Sequence, residues 1–266
     1  MESLYIDGLH VAKTSRSKTR ATPLLFIHGG FHGSWVWNNY LDYFSQKGWE
    51  CYALDLRGHY KSATITAQEL IQTGIEDYVE DVKKVIQNLN LKPIIVGHSM
   101  GGLIAARVVE SIPCPGCILI APSPPAGVKS GVVLKVSDLA KPLSLDREYM
   151  RDLYLTRVPE EERIEYSNCF SWESPKAIKQ IIDGAITIAK EKIQCPIVVI
   201  NGLLDPQHNK GEDLRVAEYY NAPCICFPGF GHDMMIENKW ERVAEALHCW
   251  IDHMALNMNN DHRKKI

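Results

Sequence analysis

The feature that most narrows the possible folds of this chain is an alternation: short runs dense in Val, Ile and Leu recur with amphipathic stretches between them. The runs at 93–96, 117–121, 197–201 and 224–227 are almost continuously apolar, whereas a strand with one wet face would alternate. Strands of this kind are covered on both faces, as in a mostly parallel sheet. Further strands are expected at 4–6, 10–12, 22–28 and 49–56, and helical periodicity appears over 75–89, 101–109 and 237–254. The βαβα order predicts a three-layer α/β domain. Between 123 and 189 the alternation stops. After the rigid stretch Pro122-Ser123-Pro124-Pro125 only helical segments are expected, at 147–156, 160–166 and 175–189, with Pro159 and Pro175 in first turns. The expected division is a core of 1–122 and 190–266 with a helical insertion at 123–189, and the polar tail 257–266 reads as disordered.

Composition excludes several functions. With 29 Lys plus Arg against 32 Asp plus Glu, the formal charge is −3, which leaves no footprint for nucleic acid or an anionic membrane. No apolar stretch approaches the roughly 18 residues that span a bilayer, and the N-terminus lacks a signal-peptide pattern, so a cytoplasmic protein is expected. The 8 cysteines are too sparse for a disulfide scaffold and are expected to be reduced and mostly buried. The pairs Cys114/Cys117 and Cys224/Cys226 are read as small hydrophobes, the latter able to share one core-facing side of a strand, and no metal site is assigned.

Chemistry enters at Gly97-His98-Ser99-Met100-Gly101, a G-x-S-x-G motif between an expected strand and an expected helix. Such a turn strains the serine backbone, needs small neighbours, and aims helix N–H groups at any anion formed beside the hydroxyl. Serine requires a base and the base an orienting acid. Asp205 lies just past the run 197–201, and His232 lies in the glycine-rich loop Gly229-Phe230-Gly231-His232-Asp233 after the next run, giving the order Ser99, Asp205, His232. Asp233 adjoins the base it would have to orient and is the poorer candidate. Oxyanion donors are expected from the N–H groups of Met100 and Gly30, the latter in the loop His28-Gly29-Gly30-Phe31-His32-Gly33-Ser34-Trp35. His28, His32 and His98 are read as structural, and Phe31, Trp35, Tyr154 and Trp172 as candidate pocket residues.

These motifs resemble the α/β-hydrolase superfamily, and the His28 to Trp35 pattern is similar to the subgroup containing plant methylesterases, hydroxynitrile lyases and many bacterial esterases. Asp55-Leu56-Arg57-Gly58-His59 matches a common superfamily turn, with Tyr60 where a glycine usually follows. The resemblance implies an eight-stranded, mostly parallel sheet, a cap formed by the insertion over Ser99, and no cofactor or metal. The expected activity is hydrolysis of a small, mostly apolar carboxylic ester through an acyl-enzyme, by a monomer or homodimer. Two alternatives remain open: a lyase, cyclase or acyltransferase using the same residues as a proton relay, and a small-molecule receptor.

Overall fold

The computed structural model describes residues 1–263 apart from 16–17, 132–137 and 209–210. Eight strands form one sheet: β1 (Glu2–Ile6), β2 (Leu9–Lys13), β3 (Leu24–Ile27), β4 (Cys51–Leu54), β5 (Ile94–His98), β6 (Cys117–Ile120), β7 (Ile197–Gly202) and β8 (Cys224–Phe227). Their spatial order is β1-β2-β4-β3-β5-β6-β7-β8. The pairs β1/β2 and β2/β4 are antiparallel, and every pair from β4 to β8 is parallel. The helices are α1 (Asn38–Gln46), α2 (Ala67–Gln72), α3 (Ile75–Asn88), α4 (Met100–Val109), α5 (Arg147–Leu153), α6 (Glu160–Ser167), α7 (Pro175–Ile182), α8 (Glu212–Tyr220) and α9 (Glu241–Arg263).

Alternation along each strand feeds two cores. In β3, Leu25 and Ile27 pack with α3, α4 and α8 on one face, and Leu24 and Phe26 pack with α1 and α9 on the other. This is the three-layer α/β arrangement expected from the apolar runs. Because β3, β5, β6, β7 and β8 are parallel, with Ile27, Gly97, Leu119 and Val199 side by side, the loops after their carboxyl ends gather at one edge of the sheet.

Between β6 and β7 the described residues hold α5, α6 and α7 and no strand beyond an isolated bridge between Leu143 and Glu173. Pro175 occupies the first turn of α7, whereas Pro159 stands one residue before α6 as its N-cap. Helix α7 stops at Ile182, short of the expected 189, because Gly184 turns the chain left-handed at φ 61°. At the C-terminus the expectation of a disordered tail fails over its larger part. Helix α9 continues to Arg263, since extending an established helix is far easier than starting one. Residues 264–266 lie outside the described residues.

Two further expectations need correction. Among the eight free cysteines only Cys51 and Cys117 are buried, and Cys226 and Cys249 are exposed. Cys224 and Cys226 do lie on one side of β8, with sulfurs 3.9 Å apart, but β8 is an edge strand and that side is incompletely covered. No helix among the described residues is long and apolar enough to cross a membrane.

Candidate active site

Strand β5 passes into helix α4 through a single residue. Ser99 adopts φ 52° and ψ −120°, a region that costs a residue with a side chain roughly 1–3 kcal/mol. Only glycine fits at the two flanking positions. A Cβ on Gly97 would stand 2.2 Å from the Gly101 carbonyl oxygen, and one on Gly101 would stand 2.4 Å from the carbonyl oxygens of Ile27 and His28. The strained residue is pinned by its own backbone: Ser99 N–H donates to the Ile120 carbonyl at 3.0 Å, and the Ser99 carbonyl accepts from Gly102 and Ser123 N–H at 2.9 Å.

His232 is buried, and its Nδ1 lies 2.7 Å from Oδ2 of Asp205. The second carboxylate oxygen of Asp205 accepts the Gln207 N–H at 2.7 Å. Burial alone would raise the Asp205 carboxyl, but the neighbouring His232 and His208 and the hydrogen bonds bring it down to about 2. An ionised acceptor facing Nδ1 holds the proton there and leaves Nε2 of His232 as the basic nitrogen. Asp233 is engaged elsewhere, its Oδ2 3.0 Å from Nε2 of His32. His98 donates from Nε2 to the His232 carbonyl at 3.1 Å. Burial and the nearby His232 and His32 push the His98 imidazole well down, which keeps it neutral in this structural role. Glu237 braces the same loop by accepting the Gly231 N–H at 2.8 and 3.0 Å. Burial, with Asp233 and Asp205 nearby, raises the Glu237 carboxyl to about 7 against the opposing pull of the Gly231 N–H.

The loop after β3 presents two successive peptides in different ways. The Gly29 carbonyl, in the peptide that carries the Gly30 N–H, lies 2.8 Å from Nδ1 of His28. The next peptide is held at both ends: the Gly30 carbonyl lies 2.6 Å from Nδ1 of His32, and the Phe31 N–H donates to Oε2 of Glu173 at 3.1 Å. Among the described residues neither the Gly30 N–H nor the Met100 N–H has an acceptor, and both residues line the cavity that contains Ser99. His28 also accepts the Leu56 N–H at Nε2, and burial and His59 bring its imidazole down to about 3. Arg57 pairs with Asp81. His28, His32 and His98, read as structural, therefore each have a structural partner, and so does Arg57.

The cavity is tight, with a volume of about 30 Å³. It is lined by Gly30, Phe31, Ser99, Met100, Tyr154 and His232 from the sequence expectation and by Ile178 and Ile181 of α7. Two expected pocket residues lie elsewhere. Trp35 is buried behind the site, stacked on His32 and Tyr166 at 5.5 and 5.4 Å. Trp172 is 57% exposed; it precedes Glu173, whose backbone pairs with Leu143, and successive residues of an extended segment face opposite ways. The cavity also takes in Ser123, Gln207 and His208, which sequence reasoning did not assign to it. His208 Nδ1 lies 3.1 Å from Asp213 and 3.6 Å from Asp205. Burial would lower that imidazole, but the two carboxylates raise it to about 10. The only sequence signal for His208 is its place three residues after Asp205. Two trios, His98 with His232 and Asp233 and Asp205 with His208 and His232, bring metal-ligand atoms within 4.8 Å of one another. In both, hydrogen bonds or close ion pairs already join the members.

The sequence profile of the family described as the alpha/beta hydrolase fold matches residues 22–154. Methylesterase 9 of Arabidopsis thaliana is 25% identical over 144 residues, covering 53% of this chain and 50% of that protein. The bifunctional esterase/perhydrolase DCH of Acinetobacter calcoaceticus is 25% identical over 253 residues, covering 81% and 87%. Across the first curated relatives it matches, the chain spans half of their length or less. Among solved structures, the Arabidopsis methylesterase MES16 superposes with a TM-score of 0.74 at 17% identity, covering 88% of this chain and all of that one. The N-acyl homoserine lactonase AidH, complexed with N-butanoyl homoserine, superposes with a TM-score of 0.69 at 17% identity, covering 96% and 95%.

Proposed function

This chain belongs to the alpha/beta hydrolase fold family, and from that premise we propose that it is a serine hydrolase acting on a small carboxylic ester. The observation that carries the reading is the placement of Ser99, on a left-handed turn, in the same cavity as His232, whose other ring nitrogen lies 2.7 Å from the ionised Asp205. The Ser99 hydroxyl attacks the ester carbonyl while His232 takes its proton, and Asp205 stabilises the resulting imidazolium. The N–H groups of Gly30 and Met100 hold the oxyanion. His232 then protonates the departing alcohol, and a water molecule, deprotonated by His232, releases the acid from Ser99.

The insertion acts as a cap in this reading, contributing Tyr154, Ile178 and Ile181 to the cavity wall. With Phe31 and Met100 they favour a small, mostly apolar acyl group. Similarity to methylesterases makes methanol the leaving group to test first. Hydroxynitrile lyases of the subgroup that the sequence resembles use a cap lysine, and among the described residues no lysine lines the cavity. Lys176 and Lys179 bond to Gln72 and Asp183, Lys141 faces Asp138, Lys129 is absent from the lining, and Lys135 lies outside the described residues.

The test is intact-protein mass after treatment with a fluorophosphonate, with Ser99→Ala as control, followed by a series of methyl esters of increasing acyl length. A single adduct that disappears in the control, with turnover falling as the acyl group outgrows the cavity, supports the reading. Absence of both adduct and turnover moves the assignment to a receptor, and cyanohydrin cleavage without ester turnover moves it to a lyase.

A further inference from the structure

One buried carboxylate lies outside the mechanism just described and touches its machinery. Glu173 is 0% exposed, sits in the insertion immediately before the N-cap of α7, and comes from a segment anchored to Leu143. A carboxylate offers about four acceptor positions, and here four donors meet it. Oε1 accepts the Tyr78 hydroxyl at 2.6 Å and the Ser174 N–H at 2.7 Å. Oε2 accepts the Phe31 N–H at 3.1 Å and faces Nε2 of His59 at 3.1 Å. The donors belong to α3, the insertion, the loop after β3 and the loop after β4. A buried charge tied to this many segments is costly to disturb, because removing it leaves several donors unpaired.

The bond to Phe31 bears on the chemistry. The Gly30–Phe31 peptide is gripped by His32 on its carbonyl and Glu173 on its N–H, and rotating it would also reorient the preceding peptide, which carries the Gly30 N–H. Phe31 itself is left-handed at φ 67°, a conformation that non-glycine residues hold only when their surroundings impose it. Its carbonyl is bonded to the Ser171 N–H, so the insertion grips Phe31 on both sides.

We propose that Glu173 is a positioning residue: its carboxylate, delivered by the insertion, clamps the Gly30–Phe31 peptide and thereby aims the Gly30 N–H at the oxyanion. This inference rests on the serine-hydrolase reading for its catalytic part and on the hydrogen bonds alone for the clamp. Oxyanion stabilisation then depends on the insertion being seated, so a displaced insertion leaves Ser99 and His232 intact but the site without one of its two donors. Burial alone would raise the Glu173 carboxyl, but His59 and the hydrogen-bond donors hold it below the usual carboxylate range, so the clamp is ionised at neutral pH.

Glu173→Ala and Glu173→Gln are compared with the parent on a methyl ester, on a trifluoromethyl ketone that fills the oxyanion site, and by hydrogen exchange over 24–37. Loss of one oxyanion donor lowers kcat about 10²–10³-fold. The expected order is parent, then Gln, whose carbonyl can still accept from Phe31, then Ala. KM should change little, and the ketone should weaken in parallel with kcat. Exchange over 24–37 should accelerate in the Ala variant whether or not the parent turns over any ester. If Glu173→Ala does not fold, Glu173→Gln carries the test. Parent-like kcat in a folded variant, or a loss confined to KM, overturns the catalytic role, and unchanged exchange overturns the clamp. A parent with neither adduct nor turnover but with accelerated exchange in the variant removes the serine-hydrolase reading and leaves the clamp standing.

Discussion

In the proposed mechanism Asp205 acts through charge at Nδ1 of His232, 2.7 Å away, so the amide that preserves its shape should still disable it. Asp205→Asn is expected to lower kcat about 10⁴-fold by allowing the wrong imidazole tautomer, with a melting temperature close to the parent; turnover within tenfold of the parent would refute the orienting role. Glu237 presents the opposite electrostatics. Its carboxyl is raised from 4.5 to about 7 in the fold, so between those values the unfolded chain binds fewer protons and stability falls as pH rises. The loss reaches about 3 kcal/mol above pH 7. Glu237→Gln keeps an acceptor for the Gly231 N–H and removes this penalty, so urea denaturation should find it close to the parent at pH 5 and more stable at pH 8; equal stability at pH 8 would show that Glu237 ionises freely. At this scale Ser99, Asp205 and His232 were legible as candidates because each stands in a local pattern that names its chemistry. Glu173 was not: its partners Phe31, His59 and Tyr78 lie 142, 114 and 95 residues away, and no local spacing records such a meeting.

On either side of the connection between β5 and α4, positions 97 and 101 tolerate no side chain. Gly101→Ala would drive a methyl group into two backbone carbonyls of the neighbouring β3 segment. Backbone cannot yield as a side-chain end can, and a loss of about 3 kcal/mol or more is expected in urea denaturation; an undisturbed midpoint would mean that the turn is more plastic than its contacts indicate. The strands were readable because burial on both faces writes continuous apolar runs. Helix ends were less so. The stop of α7 depends on Gly184 taking a left-handed conformation, which the amphipathic pattern through Ile188 conceals, and the polar end of α9 carries no apolar face to announce a helix.

Stability is unevenly distributed over the whole molecule. Strands β3, β5 and β6 are buried along their length, whereas α6 contains no buried residue. Hydrogen exchange should therefore find the α6 amides opening locally while the three strands exchange only by global unfolding; comparable protection in α6 would mean that the insertion unfolds together with the core. The spatial order of the strands was not legible, because the apolar runs state what is buried and not beside what, and β4 lies between β2 and β3 against chain order. The left-handed backbone of Ser99 also has a consequence for how sequences of this kind respond to selection. Glycine relaxes that backbone, so Ser99→Gly should melt above the parent while losing the nucleophile of the proposed mechanism. A library screened for heat resistance alone would accordingly drift toward inactive proteins at position 99, and only simultaneous selection for turnover would keep the serine in place.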